Sequence, residues 1–87
     1  MTITTPADRT IRLETETLRT LEAVGHDAEQ IDLDIDGLIA GTLSLAGLTE
    51  ACQDGAEDDA TITAWQDYVT EVERHADREL LARQATA

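Results

Sequence analysis

Three aspartates at alternate positions, Asp32, Asp34 and Asp36, run directly into Gly37, with Ile39 two residues further on, and no other stretch comes as near to a chemical signature. An EF-hand loop places oxygen ligands at its first, third and fifth positions, turns at a glycine in the sixth and closes with a bidentate carboxylate at the twelfth. Here the twelfth position is Leu43, and Leu33 and Ile35 stand where solvated side chains are needed. The three carboxylates therefore read as the wet face of a helix, and no metal site is expected.

The other reactive side chains are sparse. His26, Cys52 and His75 are far apart in sequence, so a Cys-His nucleophile pair would depend wholly on the fold. One cysteine and two histidines also fall short of the four nitrogen or sulfur ligands of a closed zinc site, and a lone Cys52 excludes an intrachain disulfide. No carboxylate pair is placed in a visible pocket that would split its pKa values. The chain is expected to be no enzyme and to carry no cofactor. Cys52 reads as a small buried hydrophobe.

Charge narrows the partners. Six arginines and no lysine face 19 acids, a formal net charge of -13. Such a surface repels phosphate, and the arginines are scattered among carboxylates instead of forming one basic face, so neither nucleic acid nor an anionic membrane is favoured. The longest uncharged run, Gly37 to Thr49, is too short for a bilayer helix of about 20 residues. Met1 to Asp8 lacks the basic and apolar regions of a signal peptide, which suggests a cytoplasmic chain.

The elements that must position these residues are helices. Pro6 and the threonines around it mark residues 1–9 as a flexible leader. From Leu21 the apolar positions fall at Val24, Ala28, Ile31, Ile35, Leu38, Thr42, Leu45, Thr49 and Cys52, a three-four alternation that predicts amphipathic helix. Gly25 interrupts it, and Asp27 with Gln30 forms the start signal of a new helix. A second series, Ile62, Trp65, Val69, Val72, Ala76 and Leu80, follows a cap at Asp58 or Asp59. Between the two series Gly55 is the expected point of reversal.

The predicted architecture is all-α: an antiparallel helical hairpin of about 27–53 and 59–83, with an N-terminal helical segment at about 12–24. It forms a single helical domain over 10–84 and a flexible tail over 85–87. Helices of roughly 37–40 Å at 1.5 Å per residue match in length.

A hairpin cannot cover itself, and a domain of this size buries only about 60% of the surface its unfolded chain exposes. With disulfide and metal excluded, the bundle is expected to be completed by dimerisation, with itself or with another small helical protein, or by Thr10 to Val24 folding back as a third helix within one chain. The candidate partner-binding residues are Leu38, Ile39, Gly41, Leu43 and Leu45 on the first helix and Trp65, Tyr68 and Val72 on the second. Glycines there imply close backbone approach, and Trp65 and Tyr68, the two aromatics, are the natural anchors.

Two family resemblances follow. The stretch from Thr10 to Ile31, followed by a small-residue-rich helix, an acidic glycine-containing loop and a helix bearing Trp65 and Tyr68, resembles the WXG100-like proteins. That resemblance implies a helical-hairpin partner or substrate of type VII secretion, paired as a dimer and exported without a cleaved signal peptide. Arg9 to Leu13 followed by the Leu18 to Val24 helix is similar to a ribbon-helix-helix antitoxin or repressor. It implies a strand with Ile11 and Leu13 inward and Thr10 and Arg12 toward DNA, and an acidic partner-binding helix over Asp58 to Arg83.

Overall fold

The computed structural model describes residues 1–54, 56 and 58–85. Two short strands, β1 (Thr2–Thr4) and β2 (Thr10–Arg12), precede four helices, α1 (Thr15–Val24), α2 (Ala28–Ala40), α3 (Leu45–Gln53) and α4 (Asp59–Ala85). The chain is mostly helical, as expected, but not all-α.

The strands correct the reading of residues 1–9 as a leader. Threonine and isoleucine alternate in both segments, which suits a pleated surface, and β1 pairs antiparallel with β2 with Ile3 opposite Ile11. The connection bends at Pro6 and closes through Asp8, whose φ of 66° is tolerated by a short polar side chain. The Asp8 N–H donates to the Thr5 carbonyl at 2.9 Å, and Thr5 Oγ1 accepts the Arg9 N–H at 3.1 Å. The expected N-terminal helix accordingly starts at Thr15, with Arg12 belonging to β2. Its start carries no cap of its own. Asp67 of α4 supplies one, accepting from the Glu14 N–H at 3.2 Å and the Thr17 hydroxyl at 2.7 Å.

Helix α1 ends at Gly25, and α2 starts on Asp27, whose carboxylate accepts the Gln30 N–H at 3.1 Å. The single helix expected over 27–53 is two helices. Gly41 takes a φ of 77° and returns its N–H to the Gly37 and Leu38 carbonyls, ending α2 with the left-handed cap that glycine adopts without steric cost. Ser44 then caps α3 by accepting the Gly47 N–H at 3.0 Å. The bend turns Leu43 back onto Gly37, where an added Cβ would stand 2.9 Å from Leu43 Cβ. The close approach that the glycines implied is thus made by the chain on itself.

Helix α4 opens on Asp58, which accepts the Thr61 N–H at 2.7 Å. Its 27 residues span about 40 Å at 1.5 Å per residue, nearly the whole 44 Å length of the molecule. The other helices pack along it. Asp34 meets Tyr68, while Leu38 and Ile39 meet Ala76 and Leu80, so α2 runs in the same sense as α4. From Leu45, near Leu80, α3 returns to Cys52, near Trp65, so only this part runs opposite to α4. The reversal expected at Gly55 lies outside the described residues, as do positions 86 and 87 of the expected tail. Ala85 belongs to α4.

The core gathers one face from every layer: Ile11 and Leu13 from the hairpin side, Leu21, Ile31 and Ile35 from α1 and α2, Leu48 and Cys52 from α3, and Trp65, Tyr68, Val69, Val72 and Ala76 from α4. Val24, although in phase with the first apolar series, is the last residue of α1 and is 60% exposed.

Candidate functional site

The three aspartates that opened the sequence reading are pulled to different partners. Asp32 and Asp36 face Arg9, at 3.0 and 2.6 Å, and Asp34 faces the aromatic cluster. They lie on a continuous helix, not a loop. Among the described residues no three His, Cys, Asp or Glu side chains are grouped as metal ligands.

Arg9 is the hub of the first cluster. The hairpin carries it into the interior, where Nη1 donates to Asp32 Oδ1, Nη2 to Asp36 Oδ1, and Nε to Glu79 Oε2 at 2.6 Å. The Ala7 N–H adds a 2.9 Å bond to Asp32 Oδ2. One guanidinium therefore ties the hairpin to α2 and α4. Its hydrogen bond to Glu79 raises the Arg9 pKa against the opposing effect of burial, and the same bond holds the Glu79 carboxyl below its ordinary value. At Asp32 burial pushes upward, but hydrogen bonds from Thr5, Ala7 and Arg9 outweigh it and the net shift is down. His75 Nδ1 stands 3.0 Å from Glu79 Oε2 without making a hydrogen bond.

The second cluster joins His26, Asp34 and Tyr68. The Tyr68 hydroxyl donates to Asp34 Oδ2, and His26 Nε2 lies 3.0 Å from that carboxylate oxygen and 2.9 Å from the phenol oxygen. With the phenol proton given to Asp34, the network assigns a proton to Nε2. The rings of His26, Trp65 and Tyr68 meet edge to face at 5.1 to 5.9 Å. A cleft of about 400 Å³ opens beside them, lined also by Leu48 and Cys52.

Burial pushes the Cys52 thiol up to about 11, with Asp34 adding to the effect, so it stays protonated at neutral pH, when only the thiolate is a nucleophile. Burial, then the bond to Asp34, also raises the Tyr68 phenol. The polar atoms satisfy one another, so the trio fixes the α1–α2 junction on α4.

The eight expected partner-binding residues separate into two groups. Trp65, Tyr68 and Val72 are 7%, 0% and 0% exposed and belong to the core, which corrects their placement on a contact surface. Their apolar area is already covered by α1, α2 and α3. Leu38, Ile39 and Leu45 instead line an open cleft of about 160 Å³ with Glu73, Ala76, Asp77 and Leu80. Leu45 is 37% exposed and Leu80 40%, and Leu81, one residue on, is 64% exposed. Gly41 sits in the bend beside this face, and Leu43, partly buried, props the bend on Gly37.

Sequence reasoning missed Leu80 as a surface residue because a heptad series does not say which neighbour covers each position. It also missed Arg9 as a hub, because the carboxylates it pairs with lie more than twenty residues away in sequence. No helix among the described residues is long and apolar enough to cross a membrane. No protein-family model, no curated protein and no solved structure matches the chain.

Proposed function

We propose that this chain is a non-catalytic protein-protein interaction module that pairs with a small helical protein through the face formed by Leu38, Ile39, Leu45 and Leu80. The single observation carrying this reading is that these four side chains lie partly open together along one cleft, while Ile31, Ile35, Trp65, Val69 and Val72 of the same apolar series are buried. Apolar side chains gathered along one open cleft offer a partner helix a surface to bury. Docking a helix there would complete the bundle around the second half of α4. In the form implied by the WXG100-like resemblance, the chain is a cognate partner in type VII secretion. An export signal read from Tyr68 and the position four residues later would have Val72 in place of an acid, with both side chains fully buried, so the partner role is favoured over that of cargo.

The test is co-expression with the small helical proteins encoded beside it. A one-to-one complex is expected, and Leu45→Ser/Leu80→Ser should abolish it with helical circular dichroism unchanged. A complex indifferent to both substitutions would overturn the reading.

One observation favours the second reading, a ribbon-helix-helix DNA-binding antitoxin. The order β2, α1, α2 has Ile11 and Leu13 buried and Arg12 exposed. Against it, β2 already pairs with β1 of the same chain, so one of its two edges is occupied. Duplex binding that weakens steeply with salt would favour this reading over the first.

A further inference from the structure

The open face has an electrical character as well as an apolar one. Its floor comes from Leu38, Ile39 and Leu45, within a run, 38–49, that contains no charged residue. Its wall is α4, where Glu73 and Asp77 stand one turn apart beside Ala76 and Leu80. The residues lining the cleft thus include two carboxylates and no cation. Of the cations on α4, Arg74 lies 3.0 Å from Glu71 and Arg83 lies 3.9 Å from Glu79, while Arg78 follows Asp77 but does not line the cleft; Arg9 is enclosed by Asp32, Asp36 and Glu79.

We propose that the occupant of this face is a cationic amphipathic helix of a different chain, not a second copy of this one. The inference rests on the interaction-module reading and names the partner's chemistry. A second copy laid on the face would bring its own Glu73 and Asp77 against these two, and would set a net charge of -13 against another of -13. Like charges facing across a cleft whose lining holds no cation oppose association. A helix with leucine-type residues on one stripe fills the cleft, and lysines or arginines flanking that stripe reach Glu73 and Asp77. Apolar residues at helical spacing supply the affinity, and the flanking charges select the partner and speed its arrival.

The test uses the full chain with two synthetic probes of equal length, an amphipathic helical peptide of leucine and lysine and its leucine-glutamate counterpart. The chain should scatter light as a monomer and bind the lysine peptide one to one, with no measurable binding of the glutamate peptide. Leu45→Ser/Leu80→Ser should weaken that binding at least about tenfold through lost apolar burial. Glu73→Gln/Asp77→Asn should weaken it and flatten its dependence on salt.

Equal binding of both peptides, abolished by the serine substitutions, would overturn the charge selection while leaving the interaction module standing. A homodimer dissolved by the serine substitutions would do the same. Lysine-peptide binding unaffected by them would show mere attraction to an acidic surface and overturn the inference. A monomer that binds neither peptide would overturn it too. The co-expression experiment would then decide separately whether the face has any partner.

Discussion

The two halves of α4 carry the same apolar periodicity and put it to different use. Around Trp65, Tyr68, Val69 and Val72 every apolar side chain is enclosed by the hairpin, α1, α2 and α3. Around Leu80 and Leu81 the enclosure stops, because α2 has ended at Gly41 and α3 has turned back toward Trp65. The first half uses its hydrophobic area in folding, and the second leaves part of it open. Burial, not periodicity, distinguishes a core from a contact surface.

The sharpest way to break this contrast is to truncate one side chain from each half. Trp65→Ala removes a ring packed against His26 and Tyr68 and should cost roughly 3–5 kcal/mol in a denaturant titration. An unchanged melting temperature would place the ring outside the core.

Arg9→Met comes next. It leaves Asp32 buried without its cation, while Asp36 and Glu79 regain water, so a loss of about 2–3 kcal/mol is expected at neutral pH. Acid should sharpen the effect. Asp32 and Glu79 have folded pKa values below their ordinary 3.8 and 4.5, so the stability they contribute is present above about pH 5. It drains away as pH falls from there through the depressed values. Arg9→Met should therefore show a flatter acid limb than the parent.

Two smaller effects test the seams. Ser44→Ala removes the cap of α3 and should cost about 1 kcal/mol, loosening the bend that shapes the open face. Leu45→Ser/Leu80→Ser, at half-open positions, should change stability by less than about 1 kcal/mol. A loss as large as that of Trp65→Ala would show that the leucines serve the fold and that the two halves do not differ.

The Cys52 thiol offers a gentler check on the closed half. With its pKa pushed up to about 11, it should react slowly with a disulfide reagent at pH 8 and fast after unfolding. Its contribution to stability is present below the ordinary value of 9.0 and is lost as pH rises from there through about 11.

Helix formation was largely legible in the sequence. The caps at Asp27 and Asp58 are visible as an acid ahead of an apolar series, and both accept the expected backbone N–H. The break between α2 and α3 was not, because Leu38, Thr42 and Leu45 keep the three-four phase straight through it. Its local signals are Gly41 and the Ser44-to-Gly47 cap, and glycines within an apolar series equally suit a close backbone approach. The hairpin was hidden for a different reason. Thr2–Thr4 is too short to carry a period of its own, and the hairpin is anchored by Arg9 finding carboxylates more than twenty residues away. Of the contact residues named from sequence, Leu38, Ile39 and Leu45 lie on the open face. Trp65, Tyr68 and Val72 went to the core, since large side chains suit either environment and only the packing of α1 over them decides.

The most direct test follows the methyl groups of both halves by nuclear magnetic resonance while the leucine-lysine peptide is added. Resonances of Ile39, Leu45 and Leu80 should shift progressively to saturation, while those of Ile11, Ile31, Ile35 and Val72 stay in place. Shifts concentrated on Ile11 and Val72, with Leu45 and Leu80 unmoved, would contradict the division of α4 into a closed half and an open one.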